Sequence, residues 1–205
     1  MLHEIMGLDR ALPWLIGALS CGYLIGSIPV GLLIAQIFGL PDPRTIGSGN
    51  IGATNVLRTG NRAAAAATLL LDGLKGLVPV ILFLSWGDLA AQMAGAGAFI
   101  GHCFPVWLRF RGGKGVATFL GVVLGLYFPA GALTCLTWLV AAGIFRISSA
   151  AALASSFSAA IWLAVFERWE AVLVVALITV IVWIRHSANI RRLLDGTEPR
   201  IGQKK

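Results

Sequence analysis

Seven stretches of this chain are almost free of charge, and that restricts its folds more than any other feature. They cover residues 13–38, 63–86, 89–105, 115–127, 130–145, 149–166 and 171–185; inside them the only charged residues are Asp72, Lys75 and, at the last boundary, Arg185. In hydrocarbon every backbone N–H and C=O must be paired within its own segment, so apolar stretches of this length demand helices. The chain is 58% hydrophobic and 12% charged with mean hydropathy +0.85, which places it outside the range of soluble domains. Its 205 residues leave little beyond the spans, so residues 1–205 are expected to form one all-α, polytopic membrane domain of about seven transmembrane helices. Three of the stretches fall short of a full crossing and read as re-entrant, tilted or broken. The first apolar stretch is long and is preceded by Glu4 and Asp9, so no cleavable signal peptide is expected.

The net charge of +7 suggests nucleic acid only until its distribution is drawn. Of the 16 Lys and Arg residues, all but Arg10, Lys75 and Arg168 fall on one side of a seven-span chain. Arg44, Arg58 and Arg62 share that side with Arg109, Arg111, Lys114 and Arg146, and with the tail from Arg185 to Lys205. The positive-inside rule then places the C-terminus in the cytoplasm and the N-terminus outside. The partner is the lipid bilayer, and no nucleic acid is expected.

Two polar, glycine-rich segments fall on the basic side. The first, Gly47-Ser48-Gly49-Asn50-Ile51-Gly52-Ala53-Thr54-Asn55, leads to Arg58. Ser48, Asn50, Thr54 and Asn55 offer hydrogen bonds and Arg58 a charge, while the glycines let the backbone approach a ligand. The second carries His102 and Pro105 and ends in Gly112-Gly113-Lys114-Gly115 at the start of an apolar stretch. Helix N-terminal amides and a lysine together can hold phosphate. Neither segment has the spacing of a nucleotide P-loop or a dinucleotide fingerprint. A third cluster, His186, Asn189, Arg191, Arg192 and Glu198, follows the last stretch. Each segment alone reads equally as a polar turn or an interfacial anchor; together, on one membrane face, they can converge on an anion site.

Asp72 and Lys75 are three residues apart and so share a helix face. Charge at membrane depth is costly unless paired, so they read as a mutual pair or, for Lys75, as a contact to an anionic ligand. His102 is equally open to a structural or a functional role. Cys21, Cys103 and Cys135 are widely spaced and indicate neither disulfide nor metal site. Trp14, Trp86, Trp107, Trp162, Trp169 and Trp183 lie near stretch ends, where indole rings favour the interface. The runs Ala63–Ala67 and Ser148–Ala160 suit close helix packing.

The order and wording of these motifs resemble the acyl-phosphate-dependent glycerol-3-phosphate acyltransferases, the PlsY family. The resemblance runs over nearly the whole chain: Gly26-Ser27-Ile28-Pro29, then GSGNIGATNVLR at 47–58, GHCFPVWLRFRGGKGVAT at 101–118 and HSANIRRLLDGTE at 186–198. It implies transfer of a fatty acyl group from acyl phosphate to the 1-hydroxyl of sn-glycerol 3-phosphate, giving lysophosphatidic acid and inorganic phosphate. It further implies a bacterial inner-membrane location, an active site facing the cytoplasm, no cofactor or metal, and functional coupling to an enzyme that forms acyl phosphate. On these motifs His186, Asn189, Lys114 and Arg58 are the expected catalytic groups. Ser48, Asn50, Thr54, His102, Gly112, Gly113, Ser149, Glu198 and Lys75 are the expected substrate contacts. Glu198 reads as an orienting group, and the proton acceptor is His186 or a substrate phosphate.

Two rival readings have weaker support. A thioester-dependent acyltransferase with a His-x-x-x-x-Asp pair needs an aspartate where Trp107 and Arg191 stand. A transporter of an organic phosphate predicts basic residues on both membrane faces and an internal repeat, and neither is visible in the chain.

Overall fold

The apolar stretches fold as helices in a computed structural model that describes residues 8–202. Glu4 and the tail lysines Lys204 and Lys205 lie outside the described residues. The longer helices are α1 (Leu8–Gly26), α2 (Val30–Ile37), α4 (Arg62–Leu84), α5 (Asp88–Cys103), α6 (Val116–Leu126), α7 (Phe128–Phe145), α8 (Ser148–Val165), α9 (Trp169–Arg185) and α10 (Ser187–Leu194). A single turn, α3 (Ala53–Val56), sits inside the first glycine-rich segment. No strand is present among the described residues.

The seven stretches therefore all recur as helical segments, but they differ in reach. Five are long and apolar enough to cross a membrane, counting α1 and α2 as one; the pair α9 and α10, bent by 62°, makes a sixth if taken as a single span. Helix α6 has 11 residues, roughly 16 Å at 1.5 Å per residue, about half the hydrocarbon thickness. Its neighbours explain the shortfall. A Cβ on Gly76 would strike the Thr118 carbonyl and one on Gly125 would strike Val80, so α6 runs parallel to α4 and begins only near Gly73. The polar segment 105–115 fills the depth that α6 leaves open, with Phe110 and Arg109 in left-handed backbone conformations. Irregular backbone at that depth is tolerated where it is packed in protein or lines a polar site.

Glycine sets the tightest helix crossing. Gly22 and Gly26 of α1 lie against the Ala94 and Ala98 carbonyls, while Gly97 and Gly101 of α5 lie against those of Leu19 and Tyr23. Any side chain at these four positions would overlap backbone, so the two helices touch through small residues, as membrane helices commonly do. The alanine and serine tracts singled out in the sequence also pack, with Ala64, Ala65, Ala151, Ala152 and Ala159 buried. Large apolar side chains such as Leu70, Ile144, Leu173 and Ile184 instead face outward, as a lipid-facing surface requires.

The break between α1 and α2 falls at Ser27-Ile28-Pro29, where proline cannot continue the hydrogen-bond ladder. The freed carbonyls do not stay unpaired: Trp107 Nε1 donates to Ser27 O at 2.9 Å and Lys75 Nζ donates to Ile28 O at 2.8 Å. Trp162 and Trp183 likewise donate inward, to Thr137 Oγ1 and Ser156 Oγ. These three indoles thus act as internal ties in addition to marking span ends.

Candidate active site

Four segments meet at the end of the bundle where α4 begins: Gly47–Arg58, Gly112–Gly115, Arg146–Ser149 and His186–Glu198. Each is held there by identifiable contacts.

The first segment is organised by Asn55, which is 1% exposed. Its amide donates to the carbonyls of Pro43, Ile46 and Asn50 at 2.6, 3.1 and 2.8 Å. Its Oδ1 accepts from the Ser48 amide at 3.2 Å and from Arg58 at 3.0 Å. Gly47 has φ +53°, and a Cβ there would collide with both Asn55 Oδ1 and the Arg58 guanidinium. Asn55 therefore folds the loop and aims Arg58, while Ser48, Thr54 and Arg58 stay exposed and Asn50 half-buried. Thr54 Oγ1 meets Ser148 Oγ at 3.3 Å, tying this loop to the start of α8.

The second segment turns over the C-terminal end of α5. Gly113 N–H donates to His102 O at 3.0 Å and Gly112 N–H to Cys103 O at 3.1 Å. A Cβ on Gly113 would run into the His102 ring, and one on Gly112 into the His102 carbonyl. Both glycine amides are thus engaged inward, not toward a phosphate as the sequence pattern suggests. The two glycines serve close packing, and Lys114 follows them at the start of α6. From outside, Arg185 clamps it, donating to Gly112 O at 2.9 Å and to Gly113 O at 3.2 Å.

Beneath the loop lies a buried triad. Lys75 Nζ is 3.0 Å from Asp72 Oδ1 and 3.1 Å from His102 Nδ1, and His102 Nδ1 is 3.5 Å from the same carboxylate oxygen. All three residues are buried. Lys75 and His102, both expected among the substrate contacts, are here engaged with Asp72, with each other and with the α1–α2 break.

The remaining groups form one network centred on Glu198. Ser149 Oγ donates to Glu198 Oε1 at 2.7 Å and Arg192 Nε to Glu198 Oε2 at 2.6 Å. Asn189 Nδ2 donates to the same Oε1, and its Oδ1 accepts from Lys114 Nζ. Ile201 N–H closes the tail back onto Arg146 O at 2.6 Å. His186 is buried with Nδ1 2.8 Å from Val182 O. A carbonyl only accepts, so Nδ1 carries the hydrogen; burial lowers the His186 pKa to about 4, so the ring is neutral near pH 7 and Nε2 keeps its lone pair.

Electrostatics follow from this crowding. Burial lowers the Lys114 pKa to about 8; Glu198 opposes the shift, and Arg192, Arg185 and Arg58 reinforce it. Burial pushes the Glu198 carboxyl up, but hydrogen bonds from Asn189, Ser149 and Arg192 outweigh it and hold the group below its ordinary value. Lys114 thus feels three arginines and one carboxylate, of which Arg192 is paired with that carboxylate, and an excess of positive charge in a half-buried site favours an anion.

Asn55 and Arg192 belong to the clusters the sequence points to but have no assigned role there, while Arg185 and Ser148 are not expected in the site at all. Ser148 and Ser149 are both engaged, Ser148 with Thr54 of the first loop and Ser149 with Glu198 of the tail. Arg185 carried a signal only in hindsight: it directly precedes His186, but its partners lie more than seventy residues away.

Comparison with known proteins gives the chain its family. Residues 16–196 match the family model described as glycerol-3-phosphate acyltransferase. The chain is 54% identical over 184 residues to the glycerol-3-phosphate acyltransferase of Cereibacter sphaeroides, covering 89% of this chain and 88% of that one. It is 56% identical to that of Dinoroseobacter shibae, covering 89% and 91% of the two chains. The crystal structure of PlsY (YgiH), an integral membrane glycerol 3-phosphate acyltransferase, in its glycerol 3-phosphate form superposes with a TM-score of 0.83 at 38% identity, covering 94% of this chain and 96% of that one. The same protein in its lysophosphatidic acid form gives a TM-score of 0.83 at 35% identity, covering 92% and 95%. With its family model, its sequence relatives and its fold in agreement, this chain belongs to the glycerol-3-phosphate acyltransferase family of integral membrane proteins, the family of PlsY.

Proposed function

We propose that the acyl donor is an acyl phosphate, and that the chain transfers its fatty acyl group to the 1-hydroxyl of sn-glycerol 3-phosphate. The products are lysophosphatidic acid and inorganic phosphate. The observation that carries this reading is the imbalance of charge: Lys114 feels Arg58, Arg185 and Arg192 alongside a single carboxylate, Glu198. Both substrates bring a phosphate to such a site, and both benefit from it.

In the proposed reaction the glycerol hydroxyl oxygen attacks the acyl carbonyl carbon, and the bond from that carbon to the phosphate oxygen breaks. The departing phosphate takes the electron pair, and the hydroxyl proton passes to a phosphate oxygen. Lys114 and Arg58 stabilise charge that grows on the leaving phosphate, with Ser48, Asn50 and Thr54 completing its contacts. Asn189 and His186 position the hydroxyl; the lone pair on His186 Nε2 is the alternative proton acceptor. Ser149 and Glu198 keep Asn189 and Lys114 in place. Because a mixed anhydride is already activated, positioning and charge suffice, and no covalent acyl-enzyme is needed. The lipid-facing helices admit the acyl chain from the bilayer. The site faces the cytoplasm of a bacterial inner membrane, as the basic residues around it indicate, with the N-terminus outside, and an acyl-phosphate-forming enzyme supplies the donor.

The test is phosphate release by purified protein in detergent, given palmitoyl phosphate with and without glycerol 3-phosphate, with lysophosphatidic acid followed in parallel. Release that requires both substrates and matches product one for one is expected. Product formed equally well from palmitoyl-CoA would overturn the donor assignment, and release from palmitoyl phosphate alone would make the protein a hydrolase.

A further inference from the structure

Arg185 ends α9, directly before His186, and is half-buried. Among the described residues no carboxylate pairs with it. Its guanidinium is taken up instead by two neutral carbonyls and a ring. Nη2 donates to Gly112 O at 2.9 Å, Nε donates to Gly113 O at 3.2 Å, and the Phe104 ring centroid lies 5.4 Å from the guanidinium carbon.

Those two bonds complete the pairing of a whole dipeptide. The Gly112 and Gly113 amides already go to the Cys103 and His102 carbonyls at the end of α5. Gly113 is buried, so a carbonyl left there without a partner would be costly. With Arg185 in place both N–H groups and both C=O groups of the pair are answered, the first two by α5 and the last two by α9. Lys114 is the next residue, and its backbone is therefore held from both edges. Its ammonium is held as well, because Nζ donates to Asn189 Oδ1 just past the 62° bend between α9 and α10. Arg185 and Asn189 thus grip Lys114 at its two ends, and both belong to the bend that carries His186.

We propose that Arg185 is a positioning residue for acyl transfer: its fork fixes the Gly112–Gly113 peptides and so places the Lys114 ammonium opposite His186 and Asn189. This role rests on the proposed part of Lys114 in stabilising the leaving phosphate. The geometry asks for a fork, since the two carbonyls belong to successive residues and N–H groups of one planar guanidinium reach both. A lysine ammonium on its flexible stem keeps the charge but does not reproduce that pair of bonds. Misplacing a group by about 1 Å can cost on the order of a hundredfold in rate, so a loosened loop is felt in turnover even where the fold survives.

The experiment is a double-mutant cycle on the full-length protein in detergent, reading lysophosphatidic acid formed from palmitoyl phosphate and glycerol 3-phosphate. In the parent, Arg185→Lys and Arg185→Gln should each lower kcat/KM about tenfold. In a Lys114→Ala background the same substitutions should lower it by less than about twofold, because the group they misplace is gone. Equal fractional losses in the two backgrounds overturn the proposal. So does an Arg185→Lys protein with more than about half the parent's kcat/KM, which would make the charge and not the fork the active element. Arg185→Lys keeps a cation and a long stem at this position; if it nevertheless fails to fold, Arg185 is a structural strut and the proposal falls. Failure of the underlying reading shows elsewhere, in a parent that makes no product from palmitoyl phosphate or a Lys114→Ala protein as active as the parent, before any Arg185 variant is compared.

Discussion

Two ionic clusters lie one above the other in this protein, and they differ in how completely they neutralise themselves. The lower one is closed: Asp72, Lys75 and His102 contact one another, and the proton left over on Lys75 reaches the Ile28 carbonyl at the helix break. The upper one is open: Glu198 organises Ser149, Asn189 and Arg192, yet Lys114, Arg58 and Arg185 add more positive charge than it can balance. A buried charge is therefore not in itself a mark of substrate binding. What separates a strut from a site is whether the charge is already answered within the protein.

The sharpest way to break this comparison is to unpair the lower cluster. Lys75→Met leaves Asp72 buried without its cation, which costs about 3–5 kcal/mol of stability. Thermal denaturation in detergent should show a large fall in the midpoint, partly restored when Asp72→Asn is added. The folded fraction should keep its KM for glycerol 3-phosphate within about twofold. A Lys75→Met protein that melts normally but has lost substrate affinity would move Lys75 into the upper cluster, as a substrate contact. In the upper cluster the reverse pattern is expected. Lys114→Ala should lower kcat/KM about a hundredfold, roughly 2.7 kcal/mol of transition-state stabilisation, with little change in melting.

Lys114 also gives the comparison a pH signature. Its pKa is held near 8, below that of an unfolded lysine, mainly by burial. Between about pH 8 and 10.5 the unfolded chain binds the extra proton, so this group's contribution makes the folded protein more stable as pH rises through that window. Activity should move the other way. The kcat/KM of the free enzyme should fall about tenfold per unit above pH 8 as the ammonium is lost, and the corresponding limb in kcat should lie higher because bound phosphate restores the charge. A flat profile to pH 9.5 would remove Lys114 from the charged machinery.

The legibility of these two clusters from sequence was unequal, for physical reasons. Helical segments were readable because hydrocarbon permits few other backbones, and their approximate positions followed from the absence of charge. Motif convergence was readable because thirteen basic residues shared one predicted side. The state of each group was not. Asp72 and Lys75 announce a pair by their spacing, but the role of Lys75 at the α1–α2 break depends on a carbonyl 47 residues away. Gly112 and Gly113 look like phosphate-binding glycines because their spacing before a lysine permits it, whereas their amides turn out to cap α5. The stretch 115–127 is visibly short of a full crossing, but its place beside the middle of α4 follows only from Gly76 of α4 against Thr118 and Gly125 of α6 against Val80.

Arg58 tests the edge of the upper cluster, where the effect should be smaller. It is exposed, and its guanidinium donates to Asn55 Oδ1. Solvent screens a charge in that position, so Arg58→Ala should lower kcat/KM about tenfold, roughly 1.4 kcal/mol. Arg58→Lys should recover only part of the loss, since an ammonium cannot reproduce the guanidinium fork.

The smallest effect is expected at the boundary between the two clusters. Cys103 ends α5, directly after His102, and its carbonyl receives the Gly112 amide. Its side chain has no exposed surface, and its sulfur packs close to Gly115. A thiol in that position holds a place in the packing between strut and site without reaching either. Cys103→Ser keeps nearly the same volume and the same backbone, so acyl transfer should stay within about twofold of the parent while the melting point falls slightly, by the cost of about 1 kcal/mol for burying a hydroxyl. Complete inactivation of a folded Cys103→Ser protein, together with a palmitoylated Cys103 trapped in the parent by mass spectrometry, would replace direct transfer with a covalent thiol mechanism and reassign the upper cluster to serving it.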